Sequence, residues 1–175
     1  LERFCAIQFS REPGTCGVAD AYAIVGNMLA KLIESRHRVT VLQVDPTASN
    51  LADAAVARPV DDGAILDEIL EIGRVSSTTP ATLMMPVRKS GRTTGLTTGE
   101  ITVLDATVSV GYGAGRTARF ENQIVTSPMS QGGDSGSLLV AGDSLRAVGL
   151  LFAGSDQATI HSPIQAVLDC LEVTI

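Results

Sequence analysis

The chain has 175 residues, 45% of them hydrophobic, enough for one ordinary domain or two small barrels sharing an interface. Its 19 acidic and 13 basic residues give a net charge of −6, and without a run of Lys or Arg this argues against nucleic acid or an anionic membrane as partner. Tryptophan is absent and aromatic residues make up 3%, so the core must use small and β-branched side chains, which favours strands.

No stretch reaches the ~18 consecutive apolar residues of a membrane span. The opening Leu1-Glu2-Arg3-Phe4-Cys5 lacks the basic region and apolar run of a signal peptide and reads as the start of a processed piece. After a Pro13-Gly14 turn, Ala21, Val25, Met28, Leu29, Leu32 and Ile33 repeat at three-and-four spacing, which predicts an amphipathic helix over about 18–35. The β-branched run 38–44 ends at Asp45-Pro46 and predicts a strand. A second short strand is predicted over Leu51 to Ala57.

Between Asp61-Asp62-Gly63 and Ser76-Ser77-Thr78-Thr79-Pro80 lies a single apolar segment, Ile65 to Ile72, so the stretch reads as a connector. From Leu83 the texture changes to short alternating segments separated by Gly and Thr: Met84 to Val87, Glu100 to Val110, Ile124 to Thr126, Ser137 to Val140, Ala147 to Phe152, and Thr159-Ile160. Repeated short strands with glycine turns predict a barrel or sandwich. Gly111-Tyr112-Gly113-Ala114-Gly115-Arg116 joins two strand-like segments and lacks dinucleotide-loop spacing, so it reads as a hairpin turn. At the end, Ser162 as cap and Pro163 at the first helical position precede Ile164, Val167, Leu168 and Leu171, a terminal helix. Cys5, Cys16 and Cys170 are odd in number and lack metal-ligand spacing; they define no framework, and one pair remains open.

The residues richest in chemistry are Gly132-Gly133-Asp134-Ser135-Gly136-Ser137, followed by the apolar strand Leu138-Leu139-Val140. A serine between glycines on a tight turn can present its hydroxyl outward, and the same turn can aim the N–H groups of Gly133 and Ser135 at one point, as an oxyanion hole requires. These residue types also dominate plain hairpin turns. The hydrolase elbow fits worse, because it needs Gly two residues after the serine and position 137 is Ser.

The segment Gly133 to Ser137, then Val148-Gly149-Leu150-Leu151-Phe152-Ala153-Gly154-Ser155, then a terminal helix, resembles the C-terminal barrel of chymotrypsin-like proteases. Lys89-Ser90-Gly91-Arg92-Thr93-Thr94-Gly95-Leu96-Thr97-Thr98-Gly99 is similar to the start of that barrel in a set of bacterial trypsin-like peptidases, and residues 1–49 resemble an insertion found in the same set. The resemblance implies a mainly β, chymotrypsin-like double β-barrel with an inserted helix near 18–35. Residues 1–60 would be the remnant of the N-terminal barrel, 61–80 the connector, and 81–175 a complete C-terminal barrel with its terminal helix.

It further implies a serine endopeptidase acting on a polypeptide substrate through a Ser-His-Asp triad, with no metal or organic cofactor. Ser135 would be the nucleophile, and Asp53, which precedes an apolar strand, the acid that orients the histidine. Gly133 and Ser135 would form the oxyanion hole. Met129, six residues before the nucleophile, would floor an apolar pocket walled by Phe152, Ala153 and Gly154. The two histidines fit the triad poorly. His37 suits the end of a helix, and His161 follows Ser135 and breaks the family order. The general base is therefore expected from a segment upstream of Leu1. An incomplete first barrel would expose apolar surface, which predicts as partner either the cleaved N-terminal fragment or a second copy of the chain. The alternative is an inactive, protease-like module that binds peptides along a strand edge, or an inert processed fragment.

Overall fold

The structure is a computed structural model that describes residues 2–61, 63 and 65–175. Leu1, and Asp62 of the expected turn cluster, lie outside the described residues. The elements in chain order are β1 (Arg3–Phe4), β2 (Arg11–Pro13), α1 (Gly17–Leu32), β3 (Leu42–Val44), β4 (Ala55–Val56), β5 (Ser77–Thr78), β6 (Pro86–Gly91), β7 (Gly95–Gly111), β8 (Thr117–Thr126), β9 (Leu138–Ala141), β10 (Arg146–Gly154), β11 (Thr159–Pro163) and α2 (Ile164–Leu171). The mainly β expectation holds.

The chain groups into two compact units, one of residues 1–7, 50–108 and 120–175 and one of residues 8–49 and 109–119. In the larger unit the strand order is β11-β10-β9-β6-β7-β8, and β8 pairs again with β11, so the order returns on itself as a barrel. Its interior is filled by Val87, Ile101, Ile124, Met129, Leu139, Ala141 and Val148, each buried. All but Met129, which comes from the loop after β8, are supplied by strands, whose period of two separates an inner face from an outer one. A second apolar cluster joins Cys5, Ala52 and Ala54 to Val167 and Leu171 of α2. Cys5 and Cys170 form a disulfide that ties the start of the chain to this helix. Cys16 is free and exposed.

The terminal helix forms as predicted, but Pro163 occupies its N-cap and no side chain caps it. Ser162 instead receives the Asp53 N–H on its Oγ at 3.4 Å. In the smaller unit, α1 ends at Leu32 and the chain turns through Glu34 at φ 55°, so His37 lies beyond the helix end it was expected to occupy. The expected strand over 38–44 shrinks to β3, because residues 38–41 are largely exposed and only 42–44 find a partner in β2. The hairpin turn at 111–116 is present, closed by Tyr112 N–H to Arg116 O at 3.0 Å and Arg116 N–H to Gly113 O at 2.9 Å.

Candidate active site

The segment from Gln131 to Ser137 is a run of two turns between β8 and β9, held by main-chain hydrogen bonds within itself and to β10. Asp134 N–H bonds Gln131 O at 3.1 Å and Ser137 N–H bonds Asp134 O at 3.0 Å. Gly136 N–H and Leu151 N–H then lace the turn to β10, at 2.7 Å to Leu151 O and 3.0 Å to Ser137 O respectively. Gly133 has φ +103° and Gly136 φ +88°, conformations that residues with a Cβ rarely adopt. Ser135 is left exposed at the crest, its Oγ 3.5 Å from Phe152 O. Among the described residues, the N–H groups of Gly133 and Ser135 donate to no protein acceptor.

Asp134 points the other way, into the barrel, and is fully buried. Its carboxylate accepts from Thr93 N–H (2.7 Å), Gln131 N–H (3.0 Å), Thr94 N–H (3.2 Å) and Thr94 Oγ1 (2.7 Å). Lys89 Nζ, also fully buried, lies 3.4 Å away and donates as well to Thr94 Oγ1 and to Gly95 O at 3.1 Å. Burial alone would raise the Asp134 pKa, but the donors Gln131, Thr94 and Thr93 outweigh it and hold the carboxyl well below the ordinary range. The loop that carries Ser135 is thus pinned from inside by an ionised, fully bonded side chain adjacent to it. Sequence reasoning quoted both ends of this pair without giving either a role; the signal was a lone lysine at an inward strand position ahead of the Gly-Asp-Ser-Gly turn.

A cavity of about 230 Å³ opens beside Ser135, lined by Ser130, Gln131, Gly132, Leu151, Ala153, Gly154, Ser155 and Asp156. Ala153 and Gly154 stand where the pocket wall was expected. Met129 does not: its side chain is 4% exposed and belongs to the barrel core, while its N–H is bonded to Thr159 Oγ1 at 3.1 Å. It lies in the loop after β8, and packing against the barrel core, rather than the pocket, takes its side chain. The Phe152 ring also turns away and packs on Phe120, centroids 4.8 Å apart, so Phe152 contributes its carbonyl to the site and not a wall. Ser130 Oγ, 3.0 Å from Thr159 Oγ1, takes the place of the apolar floor.

Asp53 is anchored to β11 through its N–H to Ser162 Oγ. Ser162 pairs in register with Leu150 of β10, two residues before the Phe152 carbonyl that Ser135 touches. The two expected catalytic residues are therefore fastened to the same two-stranded ribbon. Neither histidine bonds Ser135 among the described residues. His37 is exposed, its Nδ1 3.2 Å from Ser35 Oγ. His161 is fully buried on β11, paired with Leu151 and Ile124, and its ring nitrogens find no partner among the described residues. Burial chiefly, with the charge of Lys89, pushes its pKa down to about 3, so the ring is a neutral core side chain at pH 7. Among the described residues no group of His, Cys, Asp and Glu is arranged to hold a metal ion.

No protein-family model matches the chain. Glutamyl endopeptidase 2 of Streptomyces griseus is 31% identical over 104 residues, covering 58% of this chain and 53% of that protein. Among solved structures, Thermobifida fusca protease A is similar with a TM-score of 0.52 at 25% identity, over 62% of this chain and 60% of that one. Cellulomonas bogoriensis chymotrypsin is similar with a TM-score of 0.48 at 31% identity, over 55% and 51% of the two chains. The chain spans about half the length of the curated relative it matches.

Proposed function

We propose that this chain, whose relatives are bacterial serine proteases of the chymotrypsin fold, carries the nucleophile half of a serine endopeptidase. Ser135 attacks the scissile carbonyl carbon. An imidazole other than His37 or His161 takes the hydroxyl proton and later gives it to the leaving amine. Asp53 holds that imidazole in the required tautomer. The N–H groups of Gly133 and Ser135 receive the negative charge that develops on the carbonyl oxygen. The acyl group left on Ser135 is then released by water, with the same imidazole as base.

The observation that carries this reading is the pair of N–H groups at Gly133 and Ser135, which donate to no acceptor among the described residues and flank an exposed hydroxyl in a loop pinned by Asp134. Donors fixed before the substrate arrives need no reorganisation during reaction, which is where oxyanion holes derive most of their effect. The outer edge of Phe152–Gly154 offers main-chain groups to a peptide lying as an extra strand.

The pocket refines the substrate class. A curated relative is named for glutamyl cleavage, but here the lining residues include Asp156 and, among the described residues, no Lys or Arg. Hydroxyls and a carboxamide on the walls support a small or uncharged polar side chain before the scissile bond, since an acidic one would meet a like charge without a counter-ion.

Diisopropyl fluorophosphate tests the reading by modifying an activated serine. Mass mapping should find the adduct on the peptide containing Ser135, and Ser135→Ala should abolish it. An unmodified Ser135 in a folded chain supplied with an imidazole base would instead favour a peptide-binding module without chemistry.

A further inference from the structure

The loop that bears Ser135 has two flanks, and only one is the pocket. On the other flank the β6–β7 hairpin tip, residues 92–94, closes onto the loop through Thr93 Oγ1 to Gly132 O at 3.0 Å and Thr93 N–H to Asp134. A side chain at Gly133 would put its first carbon 2.7 Å from Arg92 Nη2, so the Arg92 guanidinium lies directly against Gly133. Arg92 is exposed and, among the described residues, has no ion-pair partner. The nearby acidic groups are otherwise engaged: Asp134 with Lys89 and its four other donors, and Glu71 with Leu96 N–H at 3.3 Å.

We propose that Arg92 is a specificity determinant that selects a carboxylate in the first two substrate residues after the scissile bond. The inference rests on the protease reading above. If the residues before that bond pair with the edge at Phe152–Gly154 and one side chain fills the pocket, the remainder of the peptide must leave across the opposite flank. That flank is the 92–94 hairpin, none of whose residues lines the pocket. A carboxylate arriving there meets an exposed guanidinium whose planar fork can bond it through two N–H groups. Because Arg92 is exposed, the effect is modest and salt-sensitive: about a two- to five-fold preference for an acidic over an isosteric amide side chain, weakened strongly at high salt.

The test is an NMR titration of the full chain that follows the Gly133 amide. The probes are acetyl-Ala-Ala-Gln-Glu-Ala-amide and acetyl-Ala-Ala-Gln-Gln-Ala-amide, each titrated into the wild-type chain and into Arg92→Gln. The proposal predicts that the glutamate peptide binds about two- to five-fold more tightly to wild type and equally to Arg92→Gln. Equal binding to wild type, or a preference that survives in Arg92→Gln, overturns it. So does the failure of both peptides to shift Gly133, and labelling of Ser135 by diisopropyl fluorophosphate in the same sample supplied with imidazole then tells whether the protease reading falls with it.

Discussion

Lys89 Nζ and Asp134 Oδ2 meet 3.4 Å apart inside the barrel, with neither side chain exposed to solvent. The pair joins strand β6 to the loop that carries Ser135, so it is a support for the site as well as for the core. Removing one partner strands a charge in low dielectric. Asp134→Asn or Lys89→Met alone should each cost ~3–5 kcal/mol in urea unfolding, whereas the double variant should recover part of that loss. Because the Asp134 carboxyl is held below its ordinary range, its contribution is complete above that range and fades as pH falls below it.

His161 makes the acid side steeper. With a folded pKa of about 3 against an ordinary 6.5, the unfolded chain binds more protons between those values. Stability therefore falls as pH falls through that window, by about 1.4 kcal/mol per unit from this group alone. Urea midpoints measured from pH 7 to pH 4 should show this slope in wild type and a flatter one in His161→Phe. Equal slopes would mean that the imidazole is not held neutral.

Gly133 has a double reason to be glycine. Its φ of +103° disfavours a Cβ, and a Cβ there would lie 2.5 Å from Thr93 Oγ1 and 2.7 Å from Arg92 Nη2. Gly133→Ala should leave the barrel folded, at a cost of about 1–3 kcal/mol, while lowering the rate of fluorophosphate modification by roughly 10²-fold through the displaced N–H. Circular dichroism and the labelling rate separate the two effects.

The Cys5–Cys170 bridge closes a loop with a sequence separation of 165, so it restricts nearly the whole unfolded chain. Replacing both cysteines by alanine should lower stability by about 2–5 kcal/mol. A thiol reagent should titrate one group, Cys16, in the native protein, and three after unfolding and reduction.

Much of this was legible in residue types and little of it in distances. Alternation located β6 to β11, yet β7 begins at Gly95 rather than near Glu100, because its first residues, Leu96 to Gly99, form a hairpin arm held by pairing with β6 instead of burial. The Gly-rich turn announced Ser135, since the conformations it needs belong to glycine. The Lys89–Asp134 contact and the Cys5–Cys170 bridge join residues far apart in sequence, which no local pattern encodes. Met129 was placed in the pocket by its distance from Ser135 along the chain, but in the loop after β8 its side chain packs into the barrel core, a long-range contact that spacing does not encode.

The most direct test of the central claim is the rate at which diisopropyl fluorophosphate modifies Ser135 as imidazole is added to the folded chain, followed by intact mass. If Ser135 and its oxyanion donors are a protease centre waiting for its base, the rate should rise with neutral imidazole, and the rise should vanish in Ser135→Ala and shrink in Gly133→Ala. A rate that stays at the background of free serine at every imidazole concentration would contradict the account.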